Sequence, residues 1–347
     1  MLAGAILVVG QSSPEDHRAR NLREAIEPGT LGGNPIACLE LLGQSALDRA
    51  VMKLRSDGVK LITIVVRDEF AHLVRTPAMP GATINSVPWQ TDLWSAAECT
   101  LREYVQHGVE LVLLTKLKAY VEFDLAHLIR FHRDTKQGIT SLIKDCEPLD
   151  SWVIEAGEVR KMQRLGLPGL VDGDGLPNAT PYPVQGYVCR LEEASDLRRL
   201  IVDAFLSHSS IRPQGREVKP GVWLDDGAQV HRRARIVAPA YVGRGARLRC
   251  DTLVTRFSAV ERGCDVGDGT VIEDASVLAN TYVGKGLNVS HALVDGSRVH
   301  PLRQNIVVEI TDSRLLGRTL PVEPSRSAAA GSSSASLAER LLATAWN

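Results

Sequence analysis

The second half of the chain places an aliphatic residue at every sixth position. The series runs Leu224, Val230, Ile236, Val242, Leu248, Val254, Val260, Val266, Ile272 and Leu278. Four residues after each comes a small side chain: Ala228, Ala234, Ala240, Ala246, Thr252, Ser258, Cys264, Thr270 and Ser276. Tyr282 breaks the small column, and the aliphatic period slips by one to Val283 and Val289. A helix repeats at 3.6 residues and a strand at 2, so a period of six matches neither. It fits a short strand plus one corner of a coil with three flat sides. The aliphatic residue points inward and the small one fits the corner. Gly227, Gly243, Gly245, Gly267 and Gly269 supply turn conformations. Three hexads complete a coil, so residue i stacks on i+18, and each coil covers only its neighbours.

The first half alternates strand and helix patterns, which predicts an α/β layer with helices on both sheet faces. Strands are expected at Ala5–Gly10, Leu61–Val66, Thr83–Val87, Glu110–Thr115, Ile139–Ile143 and Tyr187–Arg190. Helices are expected at Ala46–Arg55, Leu93–Val105, Leu125–Arg133 and Ala194–Leu206. Ser151–Glu155 and Glu158–Met162 read as a hairpin across Ala156-Gly157, and Gly166–Pro183 as a loop. The expected organisation is an α/β domain over 1–207, a linker over 208–220, the coil over 221–315 and a tail over 316–347. Pro321–Ser336 reads as a flexible linker. Ser336 can cap a short helix, Leu337–Trp346, whose face includes Leu341 and Trp346. Ten residues do not hold a helix alone in water, so that segment is expected to dock on this chain, a second copy or a partner.

Composition narrows the function classes. The 347 residues carry 40 Lys+Arg against 41 Asp+Glu, and the net charge of −1 argues against nucleic-acid binding through an overall field. Aromatics at 5% make stacking platforms for single strands unexpected. No apolar run reaches the length of a membrane span, and the start lacks a basic leader region. The six cysteines (Cys38, Cys99, Cys146, Cys189, Cys250 and Cys264) form no CxxC pair. They are expected to be reduced, buried small hydrophobes of a cytoplasmic protein.

With these elements in place, the chain resembles the sugar nucleotidyltransferase (NDP-sugar pyrophosphorylase) family. That family joins a Rossmann-like α/β nucleotidyltransferase domain to a left-handed β-helix of hexapeptide repeats. The resemblance is carried by Leu39–Leu54 (LELLGQSALDRAVMKL), Gly58–Val66 (GVKLITIVV), Phe123–Gly138 (FDLAHLIRFHRDTKQG), Trp152–Met162 and Gly186-Tyr187-Val188. It implies nucleotide or phosphate contacts at Gly10, Gln11, Ser12, Gly32, Gly33 and Lys118, and sugar contacts at Gln185 and Gly186.

The residues that carry the family's chemistry are mostly replaced. Gly10 is followed by QSSPEDHRARNLREAIEPGTLGG, which lacks the Gly-rich loop with its arginine. The family's conserved lysine falls near Ile36, its metal-binding Gly-Asp near Leu117-Lys118, and its sugar-contacting Asn near Val184. Phosphoryl-type transfer rests on positioning and electrostatics, and losing loop, lysine and carboxylate removes most of both. The resemblance therefore implies a degenerate active site and a regulatory or scaffold role in sugar-nucleotide or polysaccharide metabolism. It implies an NDP-sugar or NTP ligand, an oligomer with itself or another chain, and no metal or cofactor. Two alternatives stay open. A divergent active pyrophosphorylase would need Mg²⁺ on carboxylates such as Asp16, Glu122 and Asp124. A hexapeptide-repeat acyltransferase would need a trimer and a catalytic histidine from among His231, His291 and His300. Arginines crowd the early repeats, where Arg244 and Arg262 share a column. They read either as internally paired surface or as a face that docks an acidic partner or another subunit.

Overall fold

A computed structural model describes residues 3–10, 29–74, 81–161, 179–304 and 306–319. After β1 (Ala3–Val9), the chain forms two small hairpins. These are β2 (Thr30–Leu31) with β3 (Asn34–Pro35), and β4 (Glu40–Leu41) with β5 (Gln44–Ser45). Then come α1 (Ala46–Ser56), β6 (Leu61–Arg67), α2 (Ala71–Val74), β7 (Thr83–Val87), α3 (Leu93–Gln106), β8 (Leu111–Lys116) and β9 (Ala119–Val121). They are followed by α4 (Leu125–Thr135), β10 (Ile139–Lys144), β11 (Glu147–Glu155), α5 (Ala156–Lys161), β12 (Thr180–Pro183), β13 (Val188–Arg190) and α6 (Ala194–Phe205). Seven strands build a mixed sheet in the order β12-β10-β11-β8-β1-β6-β7. Strands β8, β1, β6 and β7 run parallel, and β11 runs antiparallel to both β8 and β10.

The alternation of β1 explains the two-faced cover. Ala5, Leu7 and Val9 face a core shared with α1, α2 and α4, while Ile6 and Val8 face one shared with α3 and α5. The edge-on pair Trp94–Trp152, 5.9 Å between centroids, anchors the second core.

Three departures from the sequence expectations follow from turn chemistry. The hairpin is β10–β11, closed by Asp145 and Cys146 at φ +50° and +67°, and Ala156–Lys161 is a helix. The stretch expected to be a loop to Pro183 ends in β12, which pairs parallel with β10. The expected linker carries a strand, Arg216–Lys219, antiparallel to Val222–Leu224.

From Val222 the chain runs through three sheets in turn. The first stacks Val222–Leu224, Ala240–Val242, Ser258–Val260, Ser276–Val277 and Ala292–Asp295. The second begins with Gln229–Val230 and Arg247–Leu248, and the third with Arg235–Ile236 and Leu253–Thr255. Successive coils pair in parallel, Trp223 on Tyr241 and Tyr241 on Ala259, which is the expected i+18 spacing, and antiparallel strands Arg298–Pro301 and Leu316–Arg318 close the far end. Many short parallel strands in stacked sheets are compatible with a β-helix. Val242, Leu248, Val254, Val260, Val266 and Ile272 fill the interior. Buried hydroxyls in the small column tie successive coils together: Thr270 Oγ1 donates to Gly284 O at 2.6 Å, and Leu287 N donates to Thr270 Oγ1 at 3.2 Å.

The slip in the repeat comes one repeat earlier than the sequence suggested, between Ile272 and Val277. Val254 pairs with Ile272 at i+18, but Val260 pairs with Val277 at i+17. The corner at Asp274 (φ +47°) is one residue shorter than the Arg256–Phe257 corner beneath it. Val277 therefore takes the interior place expected of Leu278, and Ala275 the small place expected of Ser276. Leu278 points outward into a core shared with Leu41, Leu42, Leu197 and Ile201 of the α/β body. Tyr241, Ala259 and Leu293 join it, so the outer face of the first sheet is the seat of the body.

All six cysteines are free, and only Cys38, Cys189 and Cys264 are buried; Cys99 and Cys146 are exposed because they lie on the outer side of α3 and in the β10–β11 turn. Among the described residues no helix is long and apolar enough to cross a membrane.

Candidate functional site

Helix α1 starts where Ser45 and Asp48 form a reciprocal cap: Asp48 N donates to Ser45 Oγ at 3.0 Å and Ser45 N to the Asp48 carboxylate at 3.1 Å. Leu47, Val51 and Leu54 turn into the core, leaving Arg49, Ala50 and Lys53 along a neighbouring stripe. Helix α4 starts at Asp124, whose Oδ1 accepts from Ala126 N (2.9 Å) and His127 N (3.1 Å). The bond from His127 above all holds the Asp124 carboxyl below the usual carboxylate range. Between these helices, the sheet face and the segment following β8 lies a cleft of about 1060 Å³. Its floor is apolar, with Leu7, Leu113, Leu117, Phe123 and Ile211. It reaches the carboxyl end of β8, the usual side for ligands in open α/β sheets.

The polar groups of the cleft are largely tied to the protein. Glu122 Oε1 accepts from Ser210 N at 2.6 Å and Ser210 Oγ at 2.7 Å. The Tyr182 hydroxyl meets His127 Nδ1 at 2.7 Å, and burial pushes the Tyr182 phenol up. Burial likewise raises the Tyr120 phenol. Arg49 donates to the carbonyls of Leu41 (3.1 Å), Leu42 (3.5 Å) and Arg212 (3.4 Å), and burial lowers its pKa. Lys53 pairs with Asp57 at 2.7 Å. Among the described residues no group of three or more His, Cys, Asp or Glu is placed to hold a metal ion.

The expected site residues divide. Gln185 and Gly186 line the cleft. Gly186 has a strict reason to be glycine, because a Cβ there would lie 1.8 Å from Glu122 O. Its own carbonyl and that of Val184 accept from Lys144 Nζ at 3.4 and 3.3 Å. Gly10 ends β1 at φ +102°, while Gln11, Ser12 and Asp16 lie outside the described residues. Gly32 and Gly33 turn the β2–β3 hairpin, and a Cβ on Gly32 would meet Asp295 Oδ2 at 2.3 Å. That turn abuts the coil, not the cleft. Lys118 lies beside cleft residues Leu117 and Ala119 but pairs with Asp150 at 2.9 Å. Glu122 and Asp124 do reach the cleft, each with one carboxylate oxygen hydrogen-bonded within the protein.

On the coil, Arg262 pairs with Glu40 of the α/β body, Nε lying 2.9 and 3.0 Å from the two carboxylate oxygens and Nη2 2.9 Å from Oε1, and so ties the two halves together. Arg244 Nε lies 4.0 Å from Asp225, while Arg233, Arg249 and Arg256 pair with Asp251, Asp265 and Glu273. His231 is exposed and His300 buried; His291 Nδ1 bonds Asp274 at 2.6 Å. Burial alone would raise the Asp274 carboxyl, but hydrogen bonds from Arg198 and His291 outweigh it and hold it below the usual range. Leu341 and Trp346 lie outside the described residues.

Sequence reasoning missed Arg49, Tyr120, His127, Tyr182 and Ser210. Arg49 carried a faint signal, as a lone long cation between Leu47 and Val51 of the buried face; the others meet only through the fold. No protein-family model matches the chain, and no curated protein matches it. The functional reading therefore rests on the site itself.

Proposed function

We propose that this chain is a sugar-nucleotidyltransferase-like protein of sugar-nucleotide or polysaccharide metabolism that binds its ligand without turning it over. In this reading the α/β body is a Rossmann-like nucleotidyltransferase fold with a degenerate active site. The coil is a left-handed β-helix that serves regulation or assembly of an oligomer in the cytoplasm. The ligand is an NDP-sugar or NTP held in the cleft between α1 and α4. One observation carries the reading. The cleft has the volume and position of a ligand site, but Glu122 Oε1 and Asp124 Oδ1 are engaged by Ser210 and by the α4 cap, which fixes both carboxylates to the protein. Phosphoryl transfer needs charged groups aligned on the reacting phosphates. A cleft whose carboxylates are held by Ser210 and by a helix N-terminus, and whose Lys53 is paired with Asp57, favours holding a ligand over reacting with it.

Thermal unfolding against NTPs, sugar 1-phosphates and NDP-sugars, each with and without Mg²⁺, tests this. A ligand that binds the native state raises the melting temperature by mass action. The expected result is a shift with an NDP-sugar or NTP that does not depend on Mg²⁺. A Mg²⁺-dependent shift with an NTP, followed by pyrophosphate release on adding sugar 1-phosphate, would overturn the non-catalytic reading. No shift with any member would overturn ligand binding.

A further inference from the structure

The β4–β5 hairpin has two faces, and each touches a different half of the molecule. Its turn residues, Leu42 and Gly43, both have positive φ, +51° and +89°. A two-residue hairpin with both central residues in this region suits the twist of its strands, but leucine rarely adopts it. Leu42 is fully buried, and its N–H donates to Glu261 Oε1 at 2.7 Å. The N–H of Gly43 donates to Glu261 Oε2 at 3.1 Å. Glu261 is a residue of the coil with no exposed surface. Its carboxyl thus fills the turn from the coil side. A Cβ on Gly43 would meet the Tyr241 hydroxyl at 2.6 Å, so no other side chain fits the seat.

From the other side, Arg49 of α1 reaches back to the carbonyls of Leu41 and Leu42, and Gln214 N donates to Leu42 O at 3.0 Å. Ser45, the last residue of the hairpin, is the cap of α1. Helix α1 is in turn a wall of the cleft, through Arg49, Ala50 and Lys53. Hairpin and helix therefore form one hydrogen-bonded unit between coil and cleft.

We propose that the 40–45 hairpin is a latch shared by the two halves, through which the seating of Glu261 in the turn sets the position of the α1 wall of the cleft. A ligand that prefers one wall position then shifts the seating of the coil, and the coil shifts ligand affinity by the same factor. The coupling takes its functional meaning from the ligand cleft proposed above. Its test uses no ligand, so a failure here leaves the cleft-binding reading as it stands.

The proton on Glu261 offers a handle. Burial pushes this carboxyl from 4.5 up to about 8, and the nearby Glu40 carboxylate adds to the rise. The N–H groups of Leu42 and Gly43 and the Arg49 guanidinium oppose it. Tyr241, with Asp225 behind its hydroxyl, faces Glu261 from the coil, as do Arg262 and the buried Cys264. A folded-state value above the unfolded one means that the closed latch keeps a proton the open latch loses. Closure is then fully favoured below about 4.5 and weakens as pH rises towards about 8.

Hydrogen exchange of the full chain, corrected for the intrinsic pH dependence of exchange, reads the opening of residues 40–56 between pH 5.5 and 8.5. Opening that releases one proton rises roughly tenfold per pH unit within the window. The expected result is that the amides of Leu42 and Gly43 and those of α1 lose protection together with this slope. Glu261→Gln should flatten the slope in both segments, while Arg262→Gln, which breaks the Glu40 pair and removes a charge beside Glu261 but leaves its proton, should keep it. The proposal is overturned if the wild-type α1 amides show no slope while the turn does, or if neither segment does. A slope that survives in Glu261→Gln, or disappears in Arg262→Gln, overturns it as well. The wild-type profile decides the coupling even if the Glu261 variant does not fold.

Discussion

The α/β body and the coil are stabilised in different ways, and the contrast bears on where a ligand cleft can form. In the coil each interior position is repeated, and each strand is covered by its equivalent one turn away. Its arginines reach across to acids of the next coil, as in Arg233–Asp251, Arg249–Asp265 and Arg256–Glu273. In the body nothing repeats. Its two cores are filled by residues from separate helices, and its cleft is assembled from segments between Leu7 and Ile211. A repeating surface offers the same few groups again and again. A ligand site needs several different groups converging on one point, and the aperiodic half gathers such groups in its cleft.

Substitutions can break or sharpen this contrast. Trp94→Ala should have the largest effect, because the residue is 1% exposed and no repeat can take over its place. Truncating a buried tryptophan costs about 3–5 kcal/mol. Urea unfolding should show the whole loss in the transition of the body, and an equal loss in the coil would mean that the halves unfold as one. Gly186→Ala should come next, at about 1–3 kcal/mol for overpacking. The added methyl forces apart the backbones at Glu122 and Gly186. Calorimetry should show lower stability and the loss of any ligand-induced shift. A normal shift would move the ligand away from this wall. Ser45→Ala removes the cap of α1 and should cost about 1 kcal/mol. Its loss should show in exchange of the α1 amides, with the coil unchanged. Arg249→Ala should matter least. The pair is half exposed, and such pairs are worth about 0–1 kcal/mol, shrinking with salt. A larger cost there would mean that the coil depends on its ladder of charges as much as on its interior.

Much of the architecture was legible because it is written in local periods. Helices α1, α3, α4 and α6 appear within about two residues of their expected ends, since their apolar stripes and caps sit in contiguous sequence. The six-residue period identified the coil but misplaced its slip. Val277 and Leu278 are both aliphatic, and only the corner at Asp274 decides which one points inward. Strand β12 was missed because its Thr-Pro-Tyr-Pro sequence reads as a turn, and only its pairing with β10 makes it a strand. The site was legible only in part. Gln185 and Gly186 line the cleft, while Gly32 and Gly33 lie against the coil. A glycine pair signals a tight approach without saying to what, and here the neighbour is Asp295 of the coil.

The sequence alone determined the two architectures and their order, because both follow from the spacing of apolar residues. Tertiary structure alone decided that Glu122 meets Ser210, that His127 meets Tyr182, and that Glu261 closes the turn at Leu42 and Gly43. These partners lie 88, 55 and 219 residues apart in the cases of Glu122–Ser210, His127–Tyr182 and Leu42–Glu261. A pattern of short period reports what a residue does beside its neighbours. A hydrogen bond across such distances depends on where whole elements come to rest, and that is fixed only when the cores have packed.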